Sequence, residues 1–164
     1  MSVLRIITIP NPLLKQKSLS VEKITPEVKD LVENMRATML SHKLCVGIAA
    51  VQVGVLARIV LVDVSRSQTP HRSSGQLIMI NPEIVYSSGK TSSREGCLSV
   101  PDFLGTVTRK KKIEVSYIDI NGHKKHLKTD GFEAVCIQHE IDHLDGFVFL
   151  DKVTSVKTDV LRRG

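Results

Sequence analysis

Tryptophan is absent from this chain, and two tyrosines and four phenylalanines bring the aromatic content to only 4%. A surface that stacks successive nucleobases on aromatic rings is therefore disfavoured, and the core must be largely aliphatic. The three cysteines form an odd count without paired spacing, which argues against a disulfide framework and fits a reducing compartment. No apolar run approaches the roughly eighteen residues of a membrane-crossing helix. Met1 to Pro12 lacks both the basic-then-apolar pattern of a secretory signal and the Arg- and Ser-rich pattern of an organellar presequence. No export or import signal is expected, and the expected location is the cytoplasm.

With 164 residues, 41% of them hydrophobic, the chain is long enough for one domain, residues 1–164, with a core that needs no covalent staples. A net charge of +6 favours acidic partners through long-range attraction. The one dense basic run, Arg109-Lys110-Lys111-Lys112, has no interleaved aromatic residue and reads as solvated surface. No specific DNA site and no membrane partner are expected, although a transient ribosome contact is compatible with the charge.

Thr8 to Ser20 is predicted to be irregular, since Pro10 and Pro12 remove donors and push the residues before them away from helix. A helix follows. Thr25 can cap it, Pro26 suits its first position, and Val28, Leu31, Val32, Met35 and Met39 recur at helical spacing as core residues. Ile59-Val60-Leu61-Val62 reads as a buried strand, and Ser65 to Gly75 as a surface loop. Ile78-Met79-Ile80 and Ile84-Val85-Tyr86 read as two strands separated by Asn81-Pro82. Ile113, Val115 and Tyr117 alternate with polar residues. Asn121-Gly122 is a favoured type I′ hairpin pair leading into a strand at Lys124 to Lys128, with His123 and His126 as polar residues on that hairpin. The fold class is α+β, with mainly antiparallel sheets around a helix that spans Phe132 to Leu144.

That helix carries Gln138-His139-Glu140-Ile141-Asp142-His143-Leu144-Asp145-Gly146. Histidines four apart lie about 40° apart around a helix axis and one turn apart along it, so both can reach one divalent ion. A glutamate beside the first can take a proton from water and return it to a leaving amine. Phe132, Ala134, Val135, Ile137, Ile141 and Leu144 cover so broad an arc that the helix should be buried, and buried histidines need a partner that a metal supplies. The third ligand stays open: no histidine follows His143, and Cys136 lies about 10.5 Å before it along the axis, so Cys136 reads as a pocket residue. Cys45, Cys97, the other histidines and distant carboxylates are the candidates.

Two further stretches carry unusual chemistry. Glu95-Gly96-Cys97-Leu98-Ser99 sets a cysteine after a glycine, and Cys45-Val46-Gly47-Ile48-Ala49-Ala50-Val51-Gln52 is a small-residue run holding one amide. Small side chains admit a substrate backbone, and Gln52 can donate to a developing oxyanion.

Together the three stretches resemble the peptide deformylase family. Its Gly-Φ-Ala-Ala-x-Gln motif (Φ an apolar residue) matches from Gly47 to Gln52. Glu-Gly-Cys-Leu-Ser is unchanged at Glu95 to Ser99, and Gln-His-Glu-Φ-Asp-His-Leu-x-Gly matches from Gln138 to Gly146. Asn11-Pro12-Leu13-Leu14 is similar to an early Pro-x-Leu segment, so the likeness spans nearly the whole chain.

The resemblance implies that Cys97, His139 and His143 hold one Fe2+, with Zn2+, Ni2+ or Co2+ as substitutes; ligand softness alone points to zinc. It implies a metal-dependent hydrolase acting on N-formylmethionyl nascent peptides. Water activated at the ion attacks the formyl carbon, Glu140 acts as general base and acid, and the Gln52 amide and Leu98 N–H stabilise the oxyanion. Val46, Gly47, Phe132, Val135 and Cys136 match substrate-binding positions. Glu95 is expected to orient its loop, with Arg109 or solvent as its partner. A monomer is expected.

Two departures stand out. Cys45 replaces a usual glycine, and Leu104 replaces an arginine that many members place near the substrate entrance. A thiol near the metal is a candidate wrong ligand, so a reduced-activity deformylase-like protein is the alternative. The basic carboxyl end, Val153 to Gly164, lacks the long amphipathic helix of some members. A peptidase of internal bonds, and a basic RNA-binding domain with a structural metal, are the readings from other classes. The first is disfavoured by the missing downstream ligand, and the second by a site with three protein ligands instead of four.

Overall fold

The structure, a computed structural model, describes residues 1–163. In chain order its elements are α1 (Pro26–Ser41), β1 (Gly47–Ala49), β2 (Ile59–Val62), β3 (Leu77–Ser88), β4 (Thr91–Cys97), β5 (Val100–Arg109), β6 (Lys112–Ile118), β7 (Lys124–Asp130), α2 (Gly131–Leu144), α3 (Val156–Asp159) and β8 (Val160–Arg162). Two antiparallel sheets result, one ordered β1-β2-β3-β6-β7 and the other β4-β5-β8.

The apolar run in β2 has a simple cause. Val60 and Val62, with Met79 of β3, pack in one cluster with Ile137 and Ile141 of α2, while Ile59, Leu61 and Ile80 join Val32, Met35 and Met39 of α1. Both faces of the strand are covered, so every position is apolar rather than every second one. Each aliphatic side chain fully buried in these layers contributes about 1.5–3 kcal/mol relative to an exposed one. Helix α1 begins where its signals place it, the Thr25 hydroxyl accepting from Val28 N at 3.3 Å with Pro26 at the first turn.

Helix α2 is the buried centre, in contact with β1, β2, β6 and β7. Its C-terminal carbonyls are satisfied from outside: Leu144 O accepts from Ser18 N at 2.8 Å and from Arg58 at 3.0 Å. Gly146 then turns the chain at φ +86°, with its Cα against the Lys15 carbonyl. No Cβ fits there, and L residues avoid that backbone region.

The structure differs from the sequence expectations in several elements. Residues 78–80 and 84–86 belong to one strand, β3, whose pairing with β6 shifts register between Ile80 and Glu83. Asn81 sits at the shift with φ 51°, its side chain bonded to both the N–H and the carbonyl of Val21. The irregular position therefore bends the strand without ending it. The β6–β7 hairpin forms, but not through a type I′ turn: Gly122 has φ 85°, whereas Asn121 does not have positive φ. Gly122 N bonds to Asp119 O, and the Asp119 carboxylate accepts from Asn121 N and His123 N. The aspartate side chain thus sets a turn with one left-handed residue in place of two. Strands β1 and β8 are three residues each, and β4 and β5 show no regular apolar alternation, so none of them was legible in the sequence.

Candidate metal centre

Antiparallel strands β4 and β5 close tightly, Cys97 pairing with Val100 across Leu98 and Ser99. That hairpin points the Cys97 thiol at α2, where His139 and His143 stand one turn apart. The ligand atoms of Cys97, His139 and His143 all lie within 4.8 Å of one another, with Cys97 Sγ 3.3 Å from His143 Nε2. Among the described residues this is the group of three such side chains suited to one ion.

The donor set fits a metal on several grounds. His143 is wholly buried, with its Nε2 turned to the Cys97 sulfur at 3.3 Å. His139 uses its Nδ1 on Glu95 Oε1 at 2.8 Å, which leaves Nε2 for an ion, the usual support for a ligating imidazole. A thiolate and two imidazoles suit a borderline-soft divalent cation.

Glu95 is itself fixed. Arg109 donates from Nε to Oε2 at 2.8 Å and from Nη2 to Oε1 at 2.7 Å, and its Nη1 reaches Asp142 of α2. Burial pushes the Glu95 carboxyl up, but the hydrogen bonds from Arg109 and His139 outweigh it and hold Glu95 down at about 2. Arg109, read from sequence as part of a solvated basic run or as a possible partner of Glu95, is 6% exposed, whereas Lys110, Lys111 and Lys112 are exposed. No sequence signal marked it, because β5 was not legible as a strand; in the structure Gly105 and Val107 face inward and Arg109 continues that parity.

Glu140 lies beside the candidate ligands, 5% exposed, and its Oε2 has no hydrogen-bond partner among the described residues. Burial pushes its carboxyl up to about 7. Gly47 of β1 is packed against it: a Cβ at Gly47 would come within 2.8 Å of Glu140 Oε1. We expect Gly47→Ala to keep the fold and displace the carboxylate. A misplacement on the order of 1 Å lowers kcat about a hundredfold, and steady-state kinetics beside a far-UV circular dichroism spectrum checks this.

Gln52 sits in a one-turn 3-10 helix, Ala50–Val53, that follows β1 directly. Its Oε1 accepts from Ala49 N at 2.9 Å, and Nε2 lies 3.1 Å from Ser99 Oγ and 3.3 Å from Cys97 Sγ. The amide both braces its loop and aims its donor at the ligand cluster. Ser99, fully buried, was not singled out from sequence; it is the hydroxyl that orients this donor. Leu98 occupies the turn immediately after Cys97. Val135 and Cys136 lie one turn before His139 and Glu140 on α2, with Phe132 another turn back, so these three residues continue the face that carries the candidate ligands. Val46 and Phe132 pack, partly buried, on the same core cluster as Cys136.

The departures also have structural accounts. Cys45 donates its thiol to Gly47 O at 3.1 Å, burial pushes it up to about 12, and it is outside the ligand group. Leu104 pairs with Leu161 of β8. That pairing brings a different guanidinium to the metal loop: a Cβ at Gly96 would meet Arg163 Nη2 at 2.7 Å and Leu104 at 2.9 Å.

A sulfur and two imidazoles from separate segments, with an unpartnered carboxylate at their side in an α+β fold, define a mononuclear metallohydrolase of the His-Glu-x-x-His kind. The family model for polypeptide deformylase matches residues 3–159. A peptide deformylase of Nitrosococcus oceani is 40% identical over 163 residues, covering 99% of this chain and 94% of the relative. The crystal structure of peptide deformylase from Ehrlichia chaffeensis in complex with actinonin superposes with a TM-score of 0.88 at 42% identity, covering 96% of this chain and 92% of that one. The Thermotoga maritima peptide deformylase structure gives a TM-score of 0.86 at 31% identity over 94% of this chain and all of that one. The chain belongs to the polypeptide deformylase family, metal-dependent enzymes that remove the formyl group from N-terminal formylmethionine.

Proposed function

We propose that this protein, acting as one catalytic domain and as a monomer in the cytoplasm, hydrolyses the formyl amide of nascent N-formylmethionyl peptides and releases formate. The observation that carries the reading is the Cys97-His139-His143 cluster with the partnerless Oε2 of Glu140 beside it. Cys97, His139 and His143 would hold Fe2+, the ion suggested by the family resemblance, and the same ligands would accept Zn2+, Ni2+ or Co2+. When bound, the ion supplies a Lewis acid and activates water.

The chain's own groups do the rest. Glu140 takes a proton on its free oxygen and gives it to the departing amine. Gln52 Nε2 and the Leu98 N–H donate to the oxygen that gains charge as the formyl carbon becomes tetrahedral. Glu95, clamped by Arg109, keeps the His139 ring in one orientation and tautomer. Val46, Phe132, Val135 and Cys136 form an apolar slot for the methionine side chain, and Gly47 leaves room for the peptide backbone. Cys45, turned to a backbone carbonyl, does not compete for the ion, which supports ordinary rather than reduced activity.

Protein purified without oxygen is expected to release formate from formyl-Met-Ala-Ser, with about one ion per chain in the same sample and no cleavage of casein. Casein cleavage without formate release would point to a peptidase of internal bonds.

A further inference from the structure

The loop between β2 and β3 is tied to the end of β7 and the first turn of α2 through Ser74, Arg72 and His71. Ser74 donates from its N–H and its hydroxyl to the two carboxylate oxygens of Glu133, at 2.6 and 2.7 Å. Glu133 is fully buried and accepts a third bond from Thr129 at 2.7 Å. Arg72 reaches Asp130 at 3.1 Å and the Lys128 carbonyl at 3.3 Å. Between these anchors and the loop's outer end, the ring of His71 lies on Phe132, centroids 4.3 Å apart and planes 31° apart. A segment predicted to be a free surface loop is thus strapped down beside the slot, with one side chain aimed onto a slot residue.

We propose that His71 is a specificity-determining residue: with Phe132 it forms an aromatic pair that closes the far end of the methionine slot. The inference rests on the deformylase reading and on Phe132 lining that slot. Along α2, Phe132 precedes His139 by seven residues, about 10.5 Å of helix, and Val135 and Cys136 stand between. A long unbranched side chain hung from a residue at the ligands runs along this face toward Phe132, whereas a short one stops before reaching it. A thioether packs favourably against aromatic rings, and the tilted His71–Phe132 pair offers such a surface at little entropic cost because the loop is already anchored to Glu133.

The test compares formyl-Met-Ala-Ser with formyl-Ala-Ala-Ser on wild type, His71→Ala and His71→Phe, all loaded with the same metal. Loss of one aromatic contact is expected to raise KM for the methionine peptide about three- to tenfold in His71→Ala. The alanine peptide should show no change, and His71→Phe should restore the methionine value. Ser74→Ala, which loosens the strap without touching the ring, is expected to fall between. Unchanged KM for the methionine peptide in His71→Ala, or equal losses on both peptides, overturns the role of His71 while the deformylase reading stands. A wild type that releases no formate from either peptide overturns both.

Discussion

Replacing Glu140 with glutamine is expected to leave a folded protein that still binds its metal and hardly turns over. The atoms that would hold the ion belong to Cys97, His139 and His143, so the amide removes none of them, and it is nearly the size of the carboxylate packed against Gly47. It cannot accept the proton that the reaction must move. Positioned acid–base groups contribute about 10²–10⁴-fold, and because the proposed mechanism uses Glu140 both as base and as acid the loss should lie at the upper end, in kcat rather than KM. Formate release and metal content measured on one preparation decide it. Activity within about tenfold of wild type, well short of the general acid–base range, would contradict the assignment of Glu140 as the proton carrier.

The largest effect on stability is expected at Arg109, which no composition rule marks as structural. Its guanidinium joins Glu95 on β4 to Asp142 on α2, so it ties the small sheet to the buried helix as well as fixing the support of His139. Arg109→Ala leaves Glu95, with a side chain only 5% exposed, without its strongest partner. Breaking a buried pair in this way costs about 3–5 kcal/mol, read as a drop of roughly 10 °C in the thermal midpoint. Metal affinity should fall with it, since loss of an outer support of a ligand commonly weakens binding 10–100-fold. Arg109→Lys should recover only part of the loss, because an ammonium cannot bond both Glu95 oxygens and Asp142 in one plane. Melts of metal-loaded and metal-stripped protein separate the two contributions: a purely structural role would lower both midpoints and leave metal affinity intact.

How far the sequence could be read depended on the range of the interactions involved. The His139–His143 pair and Glu140 were legible because one helical turn fixes their relation. Thr25 and Pro26 marked the start of α1 for the same local reason, and the unbroken apolar run in β2 reported that both its faces are covered. The turn at Asp119–Gly122 was misread because the Asp119 carboxylate, not the Asn-Gly pair, satisfies the backbone there. The loop holding His71 looked unattached because its anchor, Glu133, lies 59 residues away from Ser74.

By itself the sequence determined a helix able to present two imidazoles and a carboxylate on one side, since that follows from covalent spacing and the pitch of an α-helix. It also determined the alternating and continuous apolar patterns that make an α+β fold. Cys97, 46 residues before His143, was named only through the motif resemblance, and it is the tertiary structure that brings its sulfur to the same point, buries Arg109 against Glu95 and turns Cys45 away to a carbonyl. Those outcomes depend on which segments meet and on how burial and charge balance where they do, and neither is encoded in the spacing of any one segment.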